Sequence, residues 1–361
     1  MKQSNNSHVI HDESILTPYL EGKKPTVFSD KLAAFIKHQC ETWPELQEAR
    51  DFLKQSLIRK IFLTSHDSFL QHNPQRIKSS STRIDKEFIE KRPCFLCPDR
   101  LYENQKALLY QREWLILNNP YPIFPNHLVI AHAGHLPQVV HSCLRAMPDF
   151  VADLNFSCTA FYNGPACGAS APDHLHFQAC PDGGIPITGQ LAAILKKKDF
   201  PFTLLEKDKG GACLTGELDS RAFFMCITGD RDFLRDRLTG VVKFLKEETR
   251  SVDEPMINLL IAGLNETEGF FPSVEMSQTA QKGFRPAAKF MGIIFPRKAH
   301  RPACYFKKNE DMLMVSPGTV DIGGLIILPR REDYERMERD LLLGIFSEVC
   351  YGEEIFKNLC L

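Results

Sequence analysis

Between Asn163 and Gln178 the chain reads NGPACGASAPDHLHFQ, in which His174, His176 and Gln178 recur at every second residue. Extended backbone sends such positions to one face and Asp173, Leu175 and Phe177 to the other, so one face carries two imidazoles and an amide. An imidazole with a pKa of about 6.5 is mostly neutral at pH 7. If a carbonyl holds the proton on one ring nitrogen, the other offers a lone pair to phosphorus. The Gln178 amide can donate to a phosphate oxygen, and the Gly168, Ala169, Ser170 run lets backbone and hydroxyl approach negative charge closely. His176 and Gln178 are therefore candidate catalytic residues, and Asn163, Gly168 and Ser170 candidate substrate-binding residues. The competing reading is a core strand with two hydrogen-bonded histidines.

Cys94 and Cys97 form a CxxC, a spacing that lets two thiolates bind one metal, with two distant histidines completing a Cys2His2 site. A redox pair is the alternative. Positions 174 and 176 of a strand lie roughly 6.6 Å apart, so a metal on His174 sits beside His176 rather than on it. Four protein ligands leave no position for water, which makes the metal structural and not a source of hydroxide.

These motifs resemble the active-site signature of the histidine-triad superfamily branch that holds galactose-1-phosphate uridylyltransferase, diadenosine tetraphosphate phosphorylase and the GDP-hexose phosphorylases. The string HLHFQA is most similar to the last of these. The resemblance covers roughly residues 90 to 180, with Ser170 to His174 one residue longer than the family's spacing and Asp173 as the extra residue. It implies that His176 is the nucleophile, that Gln178 contacts the transferred phosphoryl group and that Ser170 contacts phosphate. It implies the metal ligands Cys94, Cys97, His135 and His174, with His132 as the rival of His135. The metal implied is zinc, and iron suits the same ligands. It also implies a two-step transfer: a nucleoside monophosphate passes from a nucleotide sugar or dinucleoside polyphosphate to His176 and then to phosphate or a sugar phosphate. The superfamily's hydrolases carry a third histidine where Gln178 stands, which favours transfer over hydrolysis. The reading from another class is a zinc-stabilised module that binds a nucleotide or nucleotide sugar without turnover.

The chain has 361 residues, 43% hydrophobic, enough for a substantial core in one large or two medium domains. A net charge of −1 and a pI near 6.9 argue against bulk nucleic-acid binding. Twelve cysteines scattered behind an N-terminus without an apolar signal core fit a reducing cytoplasm. Apolar runs are too short for a membrane span. A homodimer is left open.

The elements that must position these residues are read as α+β: a histidine-triad-like fold of two related halves, with mostly antiparallel sheets flanked by helices. Residues 1–88 are read as an N-terminal arm and helical extension, 89–206 as the catalytic half and 207–361 as a second, degenerate half. Helical spacing over residues 30–57 breaks near Pro44. Leu108–Leu117 and Leu128–Ala131 read as two strands, residues 137–155 as a helix. In the second half, strands are expected at Phe223–Thr228, Met256–Ala262, Phe290–Phe295 and Gly324–Leu328, with a helix over 230–249. MGIIFPRKAH is similar in apolar pattern to HLVIAHAGH. Arg297 and Lys298 sit in a basic cluster that could reach phosphates, and the polar loop Ser316–Gly324 could line an acceptor pocket.

Overall fold

The computed structural model describes residues 7–10, 13–20, 27–64, 66–81, 85–197, 201–207, 210–264 and 289–361, so parts of the expected N-terminal arm and extension lie outside them. Among the described residues, strands β1 (Val9–Ile10), β2 (Leu57–Phe62) and β3 (Asp67–His72) precede the first-half strands. Those are β4 (Ala107–Tyr110), β5 (Trp114–Asn118), β6 (Leu128–His132), β7 (Cys158–Asn163) and β8 (His176–Pro181). The second half supplies β9 (Thr203–Lys207), β10 (Gly211–Leu218), β11 (Arg221–Thr228), β12 (Ile257–Leu264) and β13 (Lys289–Pro296), followed by β14 (Leu325–Leu328).

Eleven strands form one sheet in the order β1-β4-β5-β6-β8-β7-β12-β13-β11-β10-β9. The order reveals an internal repeat. In each half a three-strand meander leads through a helix, Val140–Asp153 or Arg231–Glu248, to two further strands, and the last inserts between its predecessor and the meander. The halves join where β7 pairs antiparallel with β12, Asn163 opposite Asn258. The fold is α+β with two related halves, as expected, but the sheet runs unbroken across them. The expected boundary at 206/207 falls inside β9, which pairs with β10.

Alternation splits the sheet's two faces cleanly. Leu175, Phe177 and Ala179 join the core beneath the two helices, where Val140, Cys143, Leu144, Met147 and Phe150 sit at helical spacing. The opposite face of the second half is buried under the helix Arg339–Val349 and a three-stranded sheet, β14-β3-β2. Burying the large apolar side chains on these two faces contributes about 1.5–3 kcal/mol each.

Several expectations change. Leu108–Leu117 is a hairpin, not one strand: Gln111 and Arg112 both take left-handed backbone, φ 46° and 66°, without the Gly or Asn that advertises such a turn. The extension is not purely helical, because β2 and β3 form a hairpin. MGIIFP, as β13, holds the place of β8 in its half and not that of β6. Met291, Ile293 and Phe295 fill the face where His176 and Gln178 stand in the first half. Leu325–Leu328 belongs to the small sheet, pairing parallel with β3. The helix break at Pro44 does occur: Phe28–Thr42 ends there, Pro44 opens Pro44–Lys54, and Trp43 is buried between them.

Glu254 ties the halves together from the connector before β12. Its carboxylate accepts from the Tyr162 hydroxyl at 2.8 Å and from the Val140 backbone N–H at the start of the first helix. Burial raises its pKa to about 7, against the lowering effect of those two donors. The folded pKa lies above the unfolded value, so this group's contribution is fully present below about pH 4.5 and is lost as pH rises through 7. Glu254→Gln should flatten that fall, on the order of 3 kcal/mol, in urea unfolding at pH 5 and pH 8; an unchanged pH dependence would count against it.

Candidate functional site

His176 opens β8 and His174 lies two residues before it, outside the strand. The His176 ring Nδ1 is 2.8 Å from the His174 carbonyl, which can only accept, so Nδ1 carries the proton and Nε2 keeps the lone pair. Burial, the largest cause, with neighbouring His174 pushes the His176 pKa down to about 4, so the ring is neutral.

Gln178 follows on the same face, and its orientation is set by His127. The Ile123 N–H donates to His127 Nδ1 at 3.3 Å, so His127 Nε2–H donates to Gln178 Oε1 at 2.8 Å. With its oxygen occupied, the Gln178 NH2 group is left to donate. Burial and nearby Arg76 hold His127 down to about 3, which keeps it a neutral donor.

Two cavities meet at this point. A cavity of about 360 Å³ is lined by His176 and Gln178 and by Phe95, Leu96, Tyr102 and Tyr121. Its planar aromatic and apolar walls, with Asn118 and Asn119, suit a nucleoside. A smaller cavity of about 100 Å³ adjoins it, with a strongly polar lining that includes His300, Arg301, Ser316 and Asp321. Arg76, Asn119, Ser170 and Gln178 line both. Arg301 is held by Ser316 Oγ at 2.9 Å and by the Ser80 carbonyl at 3.1 Å, while Arg76 donates to the Tyr121 carbonyl at 3.0 Å.

Cys94, Cys97, His135 and His174 bring one ligand atom each to within 4.8 Å of one another. Sulfur to ring-nitrogen distances are 3.2 Å for Cys94–His174, 3.3 Å for Cys97–His135 and 3.7 Å for Cys97–His174. Tetrahedral bonds of about 2.3 Å to sulfur and 2.0 Å to nitrogen would put such atoms roughly 3.6 Å apart, so the donor set fits a metal ion. His174 Nε2–H donates to the His132 carbonyl at 2.8 Å, which turns Nδ1 to the sulfurs. His132 thus supplies a carbonyl, and the ring in the cluster is that of His135. Burial and the adjacent Cys94 sulfur push the Cys97 thiol up to about 12, a cost that a cation between them would offset.

The other expected residues divide. Gly168 and Ser170 line the small cavity, and Gly168 has φ 112°, where a side chain would be strained. The extra residue Asp173 is drawn into a turn by Arg92 at 2.6 Å, which absorbs the longer spacing. Asn163 lines the cavity but spends its side-chain oxygen on Thr319 and Asn258. Arg297 is 1% exposed and directs its guanidinium to the Val349, Pro317 and Ala299 carbonyls and Asn258, so it braces the fold. Lys298 is exposed and outside both cavities, whereas Ser316–Asp321 does line the small one. Sequence reasoning missed Arg76, His127, Tyr102 and Tyr121. The first comes from the extension, and the others carry no spacing signal.

A family model described as a domain of unknown function (DUF4922) matches residues 35–181, ending at the last residue of β8. No curated protein matches the sequence. Yeast Ap4A phosphorylase in complex with Ap4A is similar at TM-score 0.52 and 15% identity, over 86% of this chain and 98% of that one. An ADP-glucose phosphorylase from Arabidopsis thaliana with bound ADP-glucose gives TM-score 0.34 and 16% identity, over 80% and 99%. The chain therefore shares the overall fold of that Ap4A phosphorylase.

Cys94→Ser should cost most of the bound metal, read by elemental analysis, and lower Tm by several degrees, as loss of a structural metal does. Full metal content in the variant would refute the cluster as the site.

Proposed function

We propose that the protein is a nucleotidyltransferase of the phosphorylase or hexose-1-phosphate uridylyltransferase type, working through a covalent His176 intermediate. The observation that carries this reading is the His176 ring, neutral and with the proton held on Nδ1, in the wall of the larger cavity beside an amide whose oxygen is taken by His127 and whose NH2 is left to donate. A strand histidine kept only for packing needs neither arrangement.

In the first step Nε2 attacks the α-phosphorus of a nucleotide sugar or dinucleoside polyphosphate. The N–P bond forms, the bond from phosphorus to the bridging oxygen breaks, and the electron pair leaves with a phosphorylated product. The positive charge on the ring is shared through Nδ1–H with the His174 carbonyl. In the second step an oxygen of phosphate or a sugar phosphate attacks the same phosphorus, and the N–P electrons return to Nε2. Gln178 and the Gly168–Ser170 backbone serve the nonbridging oxygens, each well-placed donor worth about 3 kcal/mol. The nucleoside lies in the larger cavity, and the leaving or entering phosphate in the smaller one near Arg76 and Arg301.

The metal in Cys94, Cys97, His135 and His174 is proposed to be zinc. Held by four protein donors, it would supply rigidity, and His174 would then keep its carbonyl, and so the proton on His176, in place.

The test is intact mass after incubation with GDP-, UDP- and ADP-sugars and dinucleoside polyphosphates. The wild type should gain one nucleoside monophosphate, lost on adding phosphate or hexose 1-phosphate, and His176→Ala should gain nothing while keeping its metal. No adduct with any donor despite measurable binding would favour a binding module instead. Arg301→Gln should slow discharge of the adduct by roughly 100-fold; discharge at the wild-type rate would remove Arg301 from the phosphate end.

A further inference from the structure

The pairing register of β7 and β8 sets Phe161 opposite Gln178, and continuing it would set Asn163 opposite His176. That pair does not form, because the strands part there and Asn163 leads into the loop. On its other side His176 neighbours Ala131 of β6, but the β6 backbone bond in this stretch runs from the His132 N–H to the Leu175 carbonyl. The His176 N–H and C=O therefore point into the gap left by β7. His176 is 4% exposed, so water cannot readily satisfy them.

The Gln138 side chain fills that gap. Its Oε1 accepts from the His176 N–H at 2.8 Å, and its Nε2 donates to the His176 carbonyl at 2.9 Å and to the Asn163 carbonyl at 3.1 Å. One buried amide thus stands in for the missing rung and bridges the parted strands. The backbone around it is anchored on both sides. The Leu136 carbonyl takes the Leu175 N–H at 2.6 Å, His135 reaches the cysteine cluster, and the Val140 N–H is held by Glu254.

We infer that Gln138 is the positioning residue for the nucleophile: it fixes the His176 backbone where the sheet opens, without touching substrate. This rests on the reading of His176 as nucleophile. Its amide is a two-sided clamp, so a side chain of the same length that keeps one side should keep part of the effect. A strand end held by one edge alone would let the ring drift, and a misplacement of about 1 Å costs on the order of 100-fold in rate.

The test compares wild type, Gln138→Met and Gln138→Glu, all metal-loaded, with the donor that gives the wild-type adduct. Adduct-formation rate is measured separately from donor Kd. Expected is a fall of about 100-fold for Gln138→Met and a smaller fall for Gln138→Glu, which keeps the acceptor for the His176 N–H, with Kd within about twofold of wild type. A folded variant of either kind that forms adduct within threefold of the wild-type rate, or a loss that lies wholly in Kd, overturns the inference. If neither variant folds, exchange of the wild-type His176 amide decides: slow exchange supports the clamp, and exchange as fast as in the surrounding loop overturns it. Absence of any adduct in the wild type would instead defeat the parent reading.

Discussion

One hydrogen bond governs the site, that from His176 Nδ1 to the His174 carbonyl. A buried imidazole can be a core filler, a metal ligand or a nucleophile, and the placement of one proton decides among them. Here a carbonyl two residues upstream holds it, so that carbonyl must itself be held. The cysteine–histidine cluster does this by fixing His174 through its ring, while the His132 carbonyl receives the other ring nitrogen. The candidate metal cluster and the proposed nucleophile are therefore adjacent without sharing a ligand, and a metal held by the four donors would have no position at which to activate water.

The duplicated sheet explains why the described residues hold one such centre. Both halves repeat the same strand order, yet β13, in the place of β8, presents Met291, Ile293 and Phe295 to the face that carries His176 and Gln178 in the first half. The small sheet and the C-terminal helix cover that apolar face. The same covering layer brings Arg76, from the segment after β3, and the Ser316–Asp321 loop up to the remaining centre, so the second half completes the site it no longer duplicates.

The grouping of the candidate site residues was legible in the sequence because it is local. Alternation placed His176 and Gln178 on one face, and CxxC pointed to two donors of a possible metal cluster. The resemblance supplied His135 and His174, which the geometry brings together with the cysteines. What was not legible depends on long-range packing. Arg297 stood in a basic cluster, but its guanidinium is turned inward to the Val349 and Pro317 carbonyls, which only the folded chain brings near. Arg76 belongs to an extension read as helical, and the strand before it, β3, pairs with β14 more than two hundred residues away. The β4–β5 turn escaped because Gln111 and Arg112 adopt left-handed backbone without the usual residues. Gln138 had no signal at all, since its role is to fill a gap that exists only once β7 and β8 part.

The most direct measurement is nitrogen-15 NMR of the His176 ring in the metal-loaded protein at pH 7.5, assigned by comparison with His176→Ala. A protonated Nδ1 and a bare Nε2 are expected, as a nucleophile held by the His174 carbonyl requires. A proton on Nε2, or on both nitrogens, would leave no lone pair for phosphorus and would contradict the central claim.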